Sequence, residues 1–241
     1  MNMKNELNSQ VSTYSGNLYD FDNEILLNWY PNRILEITSD SKSLLELGVG
    51  HGYSSNVFST KFERHLALDG SSAVIENFAR KFPDCDVEII ETYFEDFESD
   101  EKFDVIVLGF ILEHVDDPVA ILDKYRNFLS HDGRMFISVP NAEALNRRIG
   151  HLAGMLPDMQ ALSEFDISSG HQRFYTMDSL TNEINEAGCE IVKMEGIYLK
   201  PLTTKQMLSL DLSEELIAAF CKVGVNYPEL SLGLLAEIKG R

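Results

Sequence analysis

Short apolar runs recur along the chain, and the first five set the expected fold. They are SLLEL (43–47), HLALD (65–69), DVEII (86–90), FDVIVLG (103–109) and RMFISVP (134–140). Each is brief and rich in branched apolar residues, as expected of strands covered on both faces. The intervals between them have helical spacing: YSSNVFSTKF follows a glycine-rich turn, and SAVIENFARKF follows Asp69. PVAILDKYRNFL carries Asp117 as an N-cap and Pro118 in its first turn, with Gly133 beyond its end. Strands alternating with helices imply right-handed crossovers and a parallel sheet with helices on both faces. Upstream, Asp22 to Thr38 is apolar at helical spacing but contains Pro31, which predicts one kinked helix or two short ones.

The pattern changes after Pro140. Residues 141–175 are long and mixed, a helix is expected over 177–188, and CEIVKMEGIYLK (189–200) reads as a strand. A helical insert follows over about 203–222, and LGLLAEIKG (232–240) reads as a last strand. No repeat or low-complexity linker divides the chain, so residues 1–241 are expected to form one domain. Its parts would be an N-terminal arm and helix (1–38), a ligand-binding core (39–141) and two inserts (142–175 and 201–230).

Composition narrows the partners. The formal net charge of −19 over 241 residues disfavours phosphate backbones and anionic lipid surfaces. The densest acidic stretch, Glu91 to Asp104, lacks the ligand order of a calcium loop and reads as a solvated connection. Cys85, Cys189 and Cys221 have no metal-ligand spacing, so no metal is expected. The first sixteen residues have no apolar core for a signal peptide, and no stretch could span a bilayer. The expectation is a soluble cytoplasmic protein, with a homodimer open through an apolar helix over Leu152 to Leu162.

LLELGVGHG (44–52) brings bare backbone to the end of the first strand. Such a turn at the carboxyl edge of a parallel sheet can cradle a ligand, or it can simply satisfy tight backbone angles. Asp69 favours a nucleoside ligand: it ends the next strand, where a carboxylate can accept hydrogen bonds from ribose hydroxyls. The glycine spacing is GxGxG, whereas the dinucleotide fingerprint is GxGxxG.

Here the chain resembles the class I S-adenosylmethionine-dependent methyltransferases. LLELGVGHG is similar to their first motif, LALDGSSAVIENFARKFP to their second-strand acid and helix, and residues 103–141 to their fourth and fifth strands. The resemblance implies a Rossmann-like, seven-stranded, mostly parallel sheet with an antiparallel last strand, and helical inserts forming a lid. It implies S-adenosylmethionine as methyl donor and S-adenosylhomocysteine as product. By the same resemblance Glu46 would orient the glycine loop and hold the methionine ammonium. Gly48, Gly50 and Gly52 would admit the donor, Asp69 with Gly70 beside it would grip the ribose, and Phe110 and Ile111 would flank the sulfonium. Many relatives carry Asp-Ala after the third strand, whereas this chain has Tyr93-Phe94, with Glu95 next. The adenine contacts implied are a Tyr93 ring and a Phe94 backbone N–H, or a carboxylate role passed to Glu95.

Methyl transfer needs alignment and dryness, and a neutral oxygen acceptor also needs a base. His114, in LEHV, is one candidate catalytic residue, although a packing role for this loop weighs more. His171, in GHQRFYT, is the second, with Arg173 and Tyr175 as substrate-binding candidates at alternate positions. The trio would bind a polar acceptor or lock the segment to the body through Glu164 and Asp166, and these alternatives balance. Lys200 and Gln206 are weaker candidates. The leading expectation is methyl transfer to an oxygen of a small-molecule acceptor, in a secondary-metabolite or surface-sugar pathway, with 141–175 as a lid. The alternatives are a regulatory cofactor-binding protein of the same fold and, more distantly, a nicotinamide oxidoreductase.

Overall fold

The computed structural model describes residues 7–8 and 16–240. Helix α1 (Asp20–Ile37) precedes a core that alternates β1 (Ser43–Leu47), α2 (Tyr53–Ser59), β2 (Arg64–Asp69), α3 (Ser72–Lys81) and β3 (Glu88–Glu91). The chain then crosses back through β4 (Phe103–Gly109), α4 (Pro118–Arg126) and β5 (Leu129–Pro140). After an insert holding α5 (Leu145–Leu152) and α6 (Glu164–Ser168) come α7 (Met177–Glu186) and β6 (Cys189–Ile197). A second insert forms α8 (Thr204–Ser209) and α9 (Glu214–Gly224) before β7 (Gly233–Gly240).

The seven strands lie in the order β3-β2-β1-β4-β5-β7-β6. All pairings from β3 to β5 are parallel, and β7 runs antiparallel to both β5 and β6. Strand order reverses between β1 and β4, which opens a crevice at their carboxyl ends, the usual ligand position in such sheets.

The sheet separates two cores because successive strand residues face opposite sides. Ile106 and Leu108 of β4 join Tyr125, Leu180 and Ile184 on one face. Val105 and Val107 join Tyr30, Ile34, Phe58 and Cys221 on the other. Arg33 of α1 donates two hydrogen bonds, each 2.8 Å, to the buried Glu195 carboxylate, tying α1 to β6.

Of the two alternatives for the first helix the structure takes the single one, Asp20–Ile37, which runs through the buried Pro31. Two strand boundaries differ from the sequence expectation. Strand β3 begins at Glu88, later than the apolar run suggests. Strand β5 begins at Leu129, with a register shift against β4 between Phe103 and Val105. Gly133 permits that shift, since a Cβ there would lie 2.9 Å from the Phe103 carbonyl oxygen.

Most of the polar N-terminal arm falls outside the described residues, apart from Leu7 and Asn8. Asn8 Oδ1 accepts a 2.7 Å bond from the Ser71 hydroxyl. Among the described residues no helix is long and apolar enough to cross a membrane.

Gly196, within β6, has a neighbour that no strand pattern reveals. A Cβ there would collide with the Gly224 carbonyl oxygen at the end of α9 and with the Ser231 hydroxyl. Backbone cannot swing aside as a long side chain can, and overpacking costs about 1–3 kcal/mol. Gly196→Ala should therefore lower the melting temperature by at least about 2 °C, read by differential scanning calorimetry.

Candidate active site at the switch point of the sheet

A cavity of about 1290 Å³ opens where β1 and β4 part. Its floor is the turn from β1 into α2. Gly48 and Gly50 have φ of 78° and 45°, angles that L side chains rarely adopt. A Cβ on Gly48 would meet Ile111 Cδ1 at 2.6 Å, so Ile111 closes over the turn only because that position is bare. A Cβ on Gly50 would meet nothing within 4 Å and would project toward open space, and Gly50 itself lines the cavity. The turn thus offers backbone to a ligand on one side and packs tightly on the other.

Asp69 stands at the end of β2, 8% exposed, and its carboxylate ties two loops together. The Val49 N–H donates to Oδ2 at 3.0 Å and the Ser71 N–H donates to Oδ1 at 2.9 Å. Burial raises its pKa above the ordinary carboxylate value, and the backbone bonds oppose that rise. The Gly50 N–H bonds the carboxylate as well, and three N–H donors on a group with about four acceptor positions leave capacity toward the cavity that Asp69 lines. Gly70 lies under the Tyr93 ring, whose Cδ1 would be 3.1 Å from an added Cβ, and Tyr93 and Phe94 form the adjoining wall.

Phe110, just beyond β4, has φ 58° although it is not glycine. Its N–H bonds the Ser138 carbonyl at 2.9 Å and its ring meets Tyr30 edge-on at 5.8 Å, which hold the strained residue with its side in the cavity. Glu46 is placed differently from the other glycine-motif residues. It is buried, accepts or shares a 2.9 Å hydrogen bond with His65 Nε2 across β1 and β2, and does not line the cavity. Its Oε1 has no partner.

The opposite end of the cavity is built from two segments distant in sequence. The loop after β4 carries Glu113 and His114, and the approach to α7 carries His171. Backbone bonding joins them: the Gln172 N–H donates to the Glu113 carbonyl at 2.8 Å. Arg173 donates to the carbonyls of Leu112 and Val115, at 2.9 and 2.5 Å. This clip sets the rings of His114 and His171 edge to face with centroids 4.8 Å apart.

Burial depresses the pKa of both rings, with His114 reaching about 3, so both are neutral at physiological pH. Glu113 is fully buried, and burial pushes its carboxyl up to about 8. Arg173 and Tyr175 do not line the cavity. Arg173 spends its guanidinium on the loop carbonyls, and Tyr175 is 1% exposed with its hydroxyl donating to Leu112 O at 3.3 Å. Of the expected trio, His171 alone faces the cavity. Glu113 was not among the residues singled out from the sequence, although it adjoins His114 in the same tripeptide. Lys200 lines the cavity, paired with Asp22 at 2.5 Å and bonded to Thr204 at 2.7 Å, while Gln206 caps α8 and does not line it.

Residues 25–194 match the family described as methyltransferase domain. The chain belongs to that family. The protein is an S-adenosylmethionine-dependent methyltransferase. Among curated proteins, a ubiquinone biosynthesis O-methyltransferase of Actinobacillus pleuropneumoniae is 28% identical over 191 residues, 73% of this chain and 78% of that one. Among solved structures, a Thermotoga maritima methyltransferase described as a possible histamine N-methyltransferase superposes with TM-score 0.66 at 14% identity, covering 100% of both chains. The N-methyltransferase NodS of Bradyrhizobium japonicum, solved with S-adenosylhomocysteine, gives 0.62 at 12% identity, covering 98% of both.

The methyltransferase's turn fits such a donor on its own geometry, because Gly50 is bare toward open space and Asp69 has spare acceptor capacity. Two outcomes test this. Gly50→Val should abolish S-adenosylhomocysteine binding by calorimetry while circular dichroism stays native. Asp69→Ala should raise the dissociation constant roughly tenfold or more, since charged hydrogen bonds contribute about 1.5–3 kcal/mol.

Proposed function

We propose that this methyltransferase transfers the methyl group to an oxygen of a small, partly aromatic or polyhydroxylated acceptor. The supporting observation is that one cavity joins the glycine cradle to the His114–His171 corner. Between them the walls are mixed: Leu26, Phe165 and Phe174 are apolar, whereas Asn141, Asn146 and Arg147 are polar. A flat apolar body carrying hydroxyls suits that lining. The O-methyltransferase named above supports an oxygen acceptor, and secondary-metabolite or surface-sugar chemistry would supply acceptors of this kind.

In this reading Gly48 and Gly50 admit the donor, Asp69 accepts from its ribose, and Tyr93 and Phe94 flank its base. Phe110 and Ile111 pack beside the reacting centre. The sulfonium supplies an activated methyl group, so the protein's part is alignment, exclusion of water and care of the acceptor's proton. His114 and His171, neutral at physiological pH, bring lone pairs to the acceptor hydroxyl. The first insert covers this end of the cavity, where Phe165 of α6 packs on Tyr19 with ring centroids 4.4 Å apart. Leu152 and Met155 take no part in that cover, being 87% and 75% exposed.

The direct test incubates the protein with S-adenosylmethionine and a panel of catechols, phenols, sugars and amines, following S-adenosylhomocysteine by mass spectrometry. An O-methylated product is expected, and turnover confined to amines would overturn the reading. The clip on the 112–115 loop makes a second prediction. Arg173→Ala should lower kcat roughly tenfold or more by displacing His171, with donor affinity unchanged within about twofold. A normal kcat in that variant would place the acceptor away from the His171 corner.

A further inference from the structure

Glu113, His114 and His171 hold more unused bonding capacity than proton transfer requires. Each contributes one ligand-type atom, and the three atoms lie within 4.8 Å of one another. Among the described residues this is the one group of three or more such side chains placed to share an ion. Glu113 is 0% exposed, and neither oxygen of its carboxylate is bonded to another residue. Leaving such a group unsatisfied costs folding free energy, which makes an unmet partner the natural explanation. Nδ1 of His114 and Nδ1 of His171 likewise have no hydrogen-bond partner. All three residues line the cavity.

We propose that Glu113, His114 and His171 form a binding site for a divalent first-row transition ion, facing the acceptor end of the cavity. Two imidazoles and one carboxylate are the donor set of open catalytic zinc sites, and imidazole ligands favour zinc, iron or copper over magnesium. The surroundings support the ligands as metal sites require. A hydrogen bond to the Gly170 backbone steadies the His114 ring. The ligand atoms, within 4.8 Å of one another, would close to roughly 3.4 Å around a tetrahedral ion with bonds of about 2.0–2.1 Å.

Three protein ligands leave a fourth position open to the cavity. The acceptor hydroxyl would bind there and give up its proton to water at the cavity mouth, and its oxygen would then attack the donor methyl as the S–CH3 bond breaks and S-adenosylhomocysteine leaves. The lone pairs of His114 and His171 would then reach the acceptor oxygen through the ion. This step rests on the oxygen-acceptor reading above, whereas the ion site itself does not, so the two are measured separately.

The test uses the untagged full chain, stripped with a chelator and titrated with zinc by calorimetry. One equivalent of zinc is expected to bind, and cobalt(II) should develop visible bands of a low-symmetry nitrogen and oxygen site. Glu113→Gln and His171→Gln should each weaken zinc at least about tenfold, with S-adenosylhomocysteine affinity kept as evidence of folding. The cobalt spectrum of the unaltered protein needs no variant, so a variant that misfolds does not spoil the test. Absence of stoichiometric zinc and cobalt binding would overturn the site, as would unchanged zinc affinity in both folded variants. Zinc binding without any methylated oxygen acceptor would uphold the ion site and sink the acceptor reading alone.

Discussion

The carboxylate of Asp69 is the constraint around which the donor half of the cavity is arranged. It ends β2 beside the turn that leaves β1, and backbone N–H groups from both loops converge on it. A buried carboxylate without those donors would be costly, so each loop has one conformation that satisfies it. Fixing the two loops fixes the glycine turn, and the turn must then stay bare where Ile111 packs on one side and the cavity opens on the other. The crevice therefore exists because parallel strands diverge at the switch point, and it has its particular shape because one charge must be solvated there.

A second set of backbone bonds does the same for the half that holds His114 and His171. Arg173 and Gln172 donate to the carbonyls of Leu112, Glu113 and Val115, so a connecting segment behaves as part of the loop after β4. Loops are ordinarily the variable part of an α/β domain. Here the loop carrying Glu113 and His114 is braced from outside, which holds two imidazoles and a carboxylate in a nearly dry corner. The neutral state of those rings follows from that dryness, since burial disfavours the charged form.

The glycine turn and Asp69 were legible in the chain because their spacing is local. Gly48, Gly50 and Gly52 fall in five consecutive residues, and Asp69 follows one helix later at the end of the next strand, so spacing alone brings them to one edge. Glu46 shows the limit of a motif: its place in the pattern is as expected, yet its side chain turns to His65 under the sheet rather than into the cavity. Tyr175 shows another limit. Alternation placed His171, Arg173 and Tyr175 on one side of an extended segment, but alternation says nothing of what that side meets. The segment runs along the 112–115 loop, where Arg173 finds carbonyls to bond and Tyr175 enters the core.

By itself the sequence determined the alternation of strands and helices and a glycine turn at the carboxyl edge of the sheet, while the reversed β7, which lies between β5 and β6, was implied by the family resemblance. The alternation and the turn follow from short-range pattern, because strands buried on both faces must be apolar and turns with positive φ favour glycine. Only the tertiary structure decided the corner of Glu113, His114 and His171. Glu113 is an ordinary acid in a short tripeptide until Gln172 and Arg173, about sixty positions away, are bonded against its loop. Which polar groups end up buried without a partner depends on everything packed around them, and no local spacing encodes that.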